Sequence, residues 1–179
     1  MTFGIESYHF TESEVNKILK SLVYLVDTRE KEAGHIVSAF EKKGLKWKYK
    51  ALISGDYSVM VPKNEELGIF RDIYFDSKIV IERKNSLDEL ANNLGNKRVQ
   101  FEHELFRTPA CICLVVEDGS YEKILNEEYN SLLTPKSYYR SLICMQAKYN
   151  LKIHFIPKKL AGFHIQQILE CFVKESLNL

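Results

Sequence analysis

Ile79-Val80-Ile81 runs without a turn residue into Glu82-Arg83-Lys84 and, after Asn85-Ser86-Leu87, into Asp88. Three consecutive apolar β-formers read as a buried strand. A block of mixed charge at its mouth is costly to desolvate unless the charges are paired or bound to a metal. The fold must bring partners to that strand end. Two other apolar runs have the same build. Leu22 to Val26 ends in Asp27-Thr28-Arg29-Glu30, and Ala110 to Val116 ends in Glu117-Asp118. The last run has strand length and suits a central strand covered on both faces. The expected architecture is α/β, a central mixed sheet flanked by helices on both faces, and 179 residues suit one such domain.

Helical spacing and punctuation fill in the rest. Thr11-Glu12-Ser13-Glu14 is a capping box, so a short helix is expected over 12–20 after a loose arm. Ile36, Val37 and Phe40 mark a helix over 31–43 that stops at Gly44. Residues 45–53 read as a strand with strict alternation, Lys46, Lys48 and Lys50 on one face and Trp47 and Tyr49 on the other. That lysine row could meet phosphates, but an exposed edge is the plainer expectation. Tyr57 to Val61 follows as a strand, then a return strand over 69–75. Helices are expected over 87–94 capped by Asn85 or Ser86, over 96–106 ended by Thr108-Pro109, over 121–128, and from Pro135. Leu151 to Ile156 is the last strand. The final helix, 160–177, is apolar on a wide face that suits a homodimer as well as the core.

Bulk properties exclude several classes. No apolar run approaches the length of a membrane span. The N-terminus lacks the regions of a secretory signal, so an intracellular protein is expected, cytoplasmic in a prokaryote or phage and nuclear in a eukaryote. The net charge of +1 means any nucleic-acid surface must be local. Cys111, Cys113, Cys144 and Cys171 do not form two close pairs, so core thiols are expected rather than zinc ligands. His35, His154 and His164 lack ligand spacing with one another, and His103, beside Glu102 and Glu104 on a helix, is expected at the surface.

The chemistry concentrates at the strand ends. A hairpin places Asp56 between the Asp27 and Glu82 segments. Carboxylates gathered on one sheet edge repel, and their pKa values rise unless a divalent cation neutralises them. Mg²⁺ or Mn²⁺ binds through one or two carboxylates, waters and substrate phosphate. Lys84 can act on an attacking water or on phosphate charge. Arg29 and Arg83 can grip phosphate oxygens.

Val26-Asp27-Thr28-Arg29-Glu30, Gly55-Asp56-Tyr57 and Ile81-Glu82-Arg83-Lys84-Asn85-Ser86-Leu87-Asp88 together resemble the XPF-type structure-specific endonuclease family, of the restriction-endonuclease-like PD-(D/E)XK superfamily. The resemblance spans about Leu22 to Val173. It implies that Asp27, Asp56 and Glu82 bind metal, with Arg83 adding its backbone carbonyl. It implies that Lys84 serves the water or the phosphate, that Glu30 and Asp88 support the site, and that Arg98 contacts DNA.

The implied activity is metal-dependent endonucleolytic hydrolysis of branched DNA such as flaps, forks or junctions. A four-way junction resolvase or a less selective DNA nuclease is the near alternative, and a non-catalytic DNA-binding or scaffold subunit the distant one. Residues 1–20 are expected as an arm and short helix, and 21–179 as the nuclease domain. The family's usual tandem helix-hairpin-helix and helicase domains are not expected in these residues. Branch recognition would then fall to the nuclease domain, a dimer through the C-terminal helices, or a separate DNA-targeting partner. The stretch from Pro62 to Asp76 reads as an extended hairpin, longer than most of the family carry.

Overall fold

Among the residues described by the computed structural model (9–95, 97–107 and 111–177), seven strands form one sheet. They are β1 Val23–Val26, β2 Lys46–Tyr49, β3 Tyr57–Val61, β4 Ile73–Tyr74, β5 Ile79–Lys84, β6 Cys111–Glu117 and β7 Lys152–Ile156. The order is β2-β1-β3-β5-β6-β7, with β4 paired to β3. The pairs β1–β2, β5–β6 and β6–β7 are parallel; β3 is antiparallel to β1, β4 and β5. The carboxyl ends of β1, β5 and β6 and the start of β3 therefore meet at one edge.

The helices are α1 Glu12–Ser21, α2 Gly34–Lys42, α3 Leu87–Leu94, α4 Arg98–Leu105, α5 Tyr121–Leu125, α6 Pro135–Tyr149 and α7 Ala161–Leu177. They divide between the two sheet faces as the strands' alternation requires. Tyr24, Val26, Val59, Ile79, Ile81 and Val115 meet α1, α2 and α7 in one core. Val80, Ile112, Leu114 and Val116 meet α3 to α6 in the other. The expected mixed sheet with helices on both faces is what the chain forms. The expected caps are present at Thr11, Ser86 and Thr134, the last ahead of Pro135.

Several expectations need correction. From β1 to β5 the pairing is largely antiparallel, β3 running against β1, β4 and β5, except that α2 carries the chain across to a parallel β2; β5 to β7 are parallel. The strand expected over 45–53 ends at Tyr49. Lys50 still donates to the Val26 carbonyl at 2.9 Å, but the Leu52 N–H turns to the Asp27 carboxylate at 2.6 Å, which draws the backbone off the ladder. The helix expected from residue 31 begins at Gly34, because Glu30 N–H bonds the Asp27 carbonyl and Glu32 N–H the Glu30 carboxylate. The return strand shrinks to Ile73-Tyr74. Before it, Asn64 bridges to Ile69 around a 3₁₀ turn closed by left-handed Gly68. The helix expected over 121–128 stops at Leu125. Cys113 is a core thiol, but Cys144 and Cys171 are exposed, since each lies off the apolar stripe of its helix. Residues 1–8 of the arm, Asn96, and the expected helix stop at Thr108-Pro109 lie outside the described residues.

At Gly162, α7 crosses α2 at close range. A Cβ on Gly162 would sit 2.6 Å from Ala39 Cβ and 3.2 Å from the Ile36 carbonyl oxygen. Gly162→Ala should therefore cost about 1–3 kcal/mol of stability by overpacking. Gly34→Ala, with nothing within 4 Å of the added carbon, is the control. A urea midpoint that falls for the first and holds for the second is the expected result.

Candidate active site

Asp56 ties the strand ends together through its backbone. Its N–H donates to the Ile81 carbonyl at 2.7 Å, and its carbonyl accepts from Asp27 N–H at 2.7 Å. Its carboxylate accepts from Arg83 N–H at 2.8 Å. Gly55 makes the approach possible. It lies at φ +70°, and a Cβ there would meet Val80 Cβ at 2.9 Å and the Ile81 carbonyl at 3.0 Å.

Alternation then sorts the charged tail of β5. Glu82 and Lys84 share the face of Val80, and Lys84 Nζ pairs with Glu82 Oε1 at 2.7 Å. Arg83 points to the opposite face with Ile81. Asp27 and Asp56 flank Glu82 around a cleft of about 310 Å³, which Arg29, Ile53, Phe101, Glu104 and Arg107 also line. A second hollow of about 270 Å³ at the same edge adds Glu30, Glu32, Lys84 and Glu89 and shares Arg29, Asp56 and Glu82.

The three acids differ in state. Burial, reinforced by the charge of Glu82, pushes the Asp56 carboxyl well above the usual range. Burial likewise raises Glu82, against the pull of Lys84. Burial would raise Asp27 too, but the bonds it accepts reverse the sign and hold it low. Arg29 Nε and Nη2 reach its two oxygens at 2.7 and 3.1 Å, and the N–H groups of Arg29 and Leu52 add to them. Lys84 is raised: burial opposes its charge, but Glu82, Glu89 and Asp56 together outweigh burial.

The other expected residues spread further. Arg83's guanidinium does not face the cleft. It lies 3% exposed against fully buried Glu117, Nε to Oε1 at 2.9 Å, with Glu30 at 3.8 Å. His35 Nε2 meets the same Glu117 oxygen at 2.6 Å. Asp88 is exposed and lies apart from Asp27, Asp56 and Glu82, its Oδ1 accepting from Asn130 N–H at 2.7 Å. Arg98 joins helix to helix: Nε bonds Glu102 at 2.8 Å and Nη1 faces Ser141 Oγ at 3.4 Å. Arg29 stands at the cleft mouth with its side chain 64% exposed. Among the described residues, no three His, Cys, Asp or Glu side chains gather closely enough to hold a metal ion.

Sequence reasoning missed Glu117 and Glu89 as members of this neighbourhood. Glu117 carried a signal, an acid closing a wholly apolar run. Glu89 carried one too, because Ser86-Leu87-Asp88-Glu89 has the sequence pattern of a capping box, although its reciprocal bond reaches Asn85 rather than Ser86. Its carboxylate accepts from Asn85 N–H at 2.8 Å and lies 3.4 Å from Lys84 Nζ. Glu104 and Arg107 reach the cleft only through the placement of α4, which no local pattern announces.

The sequence profile of the ERCC4 domain matches residues 26–166. No curated protein sequence matches the chain. Among solved structures, XPF from Aeropyrum pernix is similar at a TM-score of 0.58 and 18% identity, over 84% of this chain and 65% of that one. XPF from Aeropyrum pernix in complex with DNA is similar at 0.61 and 20%, over 86% of this chain and 66% of that one. The chain thus spans just under two thirds of each of these two solved chains. The shared feature is the restriction-endonuclease-like α/β fold.

Two stability measurements follow from this geometry. Glu117→Leu takes from buried Arg83 its closest anion, leaving Glu30 and Glu32 at 3.8 and 3.7 Å, and should cost about 3–5 kcal/mol, whereas Arg83→Met with Glu117→Leu should recover most of it. Chemical denaturation of the three proteins reads this directly. Burial would raise Glu102, but bonds from Tyr149, Arg98 and Lys148 hold it at about 2, against an ordinary 4.5. Its contribution is complete above about 4.5 and is lost as pH falls through about 2. The stability gap between wild type and Glu102→Gln should therefore narrow across that window.

Proposed function

The chain belongs to the ERCC4-domain family of XPF-type nucleases, and from that premise we propose a metal-dependent endonuclease that hydrolyses phosphodiester bonds in branched DNA, such as flaps, forks or junctions. The observation that carries the reading is the pairing of Asp56 with Glu82. Two carboxylates are driven into one half-buried site where burial raises the pKa of each, and the charge of Glu82 raises Asp56 further. Such a pair of acids in a cleft costs stability and is the mark of a functional site.

The donor set fits Mg²⁺ or Mn²⁺, which take one or two carboxylates and complete their shell with water and phosphate oxygens. Asp56 and Glu82 would hold the ion, with the Arg83 carbonyl beside them. Asp27 adds a third carboxylate only if its bidentate bond to Arg29 opens. A bound ion supplies charge neutralisation and an acidified water.

The chain's own residues do the rest. Lys84 stays an ammonium, because Glu82 favours its charge. It therefore serves as a fixed positive charge for the phosphoryl oxygens rather than as a base. Arg29, anchored on Asp27 at the cleft mouth, offers its planar fork to a phosphate. Glu30 and Glu89 hold the Arg83 and Lys84 surroundings, and Asp88 and Arg98 support the helices behind the site. On this reading residues 21–179 are the nuclease domain. Two copies associate through the C-terminal helices, and branch choice falls to that dimer or to a separate DNA-targeting partner.

A non-catalytic DNA-binding subunit is the second reading. It is favoured by one fact, that Asp27 and Glu82 each already have a cationic partner, Arg29 and Lys84.

Labelled flap, fork, four-way and linear duplex DNA incubated with Mg²⁺ or with EDTA separates the two. Metal-dependent cleavage that prefers a branched substrate is expected; no cleavage of any substrate would sink the enzyme. Asp56→Asn should abolish cutting, by at least about a hundredfold, and at the same time raise the melting temperature. The amide keeps an acceptor for Arg83 N–H and relieves a carboxylate that burial and Glu82 oppose. A loss of cutting accompanied by a lower melting temperature would mean that Asp56 is structural.

A further inference from the structure

Helices cover only part of the face that carries the cleft. On that face α3 to α6 pack over β5, β6 and their neighbours. Over β1 to β4 the same face holds a small apolar cluster of Leu25, Leu52 and Met60 with Val23, and no helix of the described residues joins it. Register lines up what lies there: Lys46 beside Val23, Val23 beside Met60, Met60 beside Tyr74, and Lys48 beside Leu25. Lys48 and Lys50 reach across the apolar cluster to Tyr74, their ammoniums 5.3 and 5.2 Å from its ring centroid. Lys48 Nζ is also 3.3 Å from the Tyr74 hydroxyl. The lysine stems roof the apolar patch and the ammoniums stay at the surface.

Charge balance on this face is one-sided. Lys50 pairs with Asp76 at 2.5 Å. Among the described residues neither Lys46 nor Lys48 has a carboxylate within ion-pair distance, and both retain solvent access. β2 runs parallel to β1, so the row begins at Lys50 next to Asp27, at the cleft. It then steps away through Lys48 and Lys46 at about 6.7 Å per step, the two-residue rise of a strand.

We propose that this helix-free half of the sheet face is a track for the DNA backbone leaving the cleft, with Lys46 and Lys48 contacting phosphates and Tyr74 holding the Lys48 ammonium in place. Lysines on an edge strand also discourage edge-to-edge pairing. That role alone does not call for a row that starts at the cleft or for an aromatic ring beneath the ammonium. The track rests on the DNA-nuclease reading and adds to it a grip on DNA that does not depend on a further domain.

The test is binding without cutting. A fluorescein-labelled duplex is titrated in EDTA over a range of salt, and log K is plotted against log salt for the intact chain, Lys46→Gln/Lys48→Gln, and Lys17→Gln/Lys20→Gln. The last pair lies on α1, which packs on the opposite sheet face. Each lost phosphate contact should lower the slope by about 0.9, so the track variant should lose nearly 2 and bind at least about tenfold more weakly at 0.1 M salt. The α1 variant should match wild type. A track variant with the wild-type slope overturns the track and leaves the nuclease reading standing. A wild-type chain that binds no DNA under any of these conditions overturns both.

Discussion

The Arg83–Glu117 ion pair is the constraint from which the site's geometry follows. Three residues of β5 in a row are charged, and a strand must send them alternately to its two faces. Glu82 and Lys84 can face a cleft, so Arg83 must enter the core side. A guanidinium there is tolerable only with an anion already in place. β6, parallel and in register with Lys84 opposite Val116, delivers Glu117 one residue later. The pair clamps the carboxyl ends of the two central strands. The Arg83 N–H that holds Asp56 and the side chain that holds Glu117 belong to one residue, so core and cleft are set together.

The same chain accepts cost at one acid and avoids it at another. Asp27 is buried as deeply as any core residue, yet Arg29 and two backbone N–H groups stabilise its charge, so it behaves as a structural anion that shapes the turn after β2. Asp56 receives one N–H and faces Glu82. Two aspartates read from equivalent strand-end patterns therefore have opposite electrostatics. The difference lies in whether a cation comes from the same turn, as Arg29 does two residues after Asp27, or whether the local sequence offers only Gly55 and Tyr57.

How much of this was legible in the sequence depends on the range of the interaction. Apolar runs announced the central strands, and capping residues announced α1, α3 and α6, because those signals are local. The convergence of Asp27, Asp56 and Glu82 was legible on the condition that their strands are neighbours, which the antiparallel pairing of β3 with β1 and β5 meets. Strand order was not: the helix between β1 and β2 is compatible with a parallel or an antiparallel return, and only the packing of α2 decides it. Arg83 was expected at phosphate because its neighbours Glu82 and Lys84 belong to the site. Alternation, applied residue by residue, would have sent it inward. Asp88 follows Lys84 by four residues and still leaves the site, because Ser86 starts a helix whose first turn offers Glu89, not Asp88, back to Asn85 and Lys84.

The uneven helix cover gives the lysine row its physical reason. Asp27, Asp56 and Glu82 sit where helical cover stops, so the sheet face beyond them needs a lid for Leu25, Leu52 and Met60 that is not a helix. An apolar lid would close the approach to the cleft. A lysine stem covers methylene-sized patches while its ammonium stays in water, and it can swing aside at little cost. Tyr74 then gives the ammoniums a weakly held resting position, worth about 0.5–1 kcal/mol at an exposed site, which a phosphate with its full charge can outcompete. Covering the patch and contacting a polyanion are thus compatible demands on the same side chains. Tryptophan or leucine at positions 46, 48 and 50 would meet only the first.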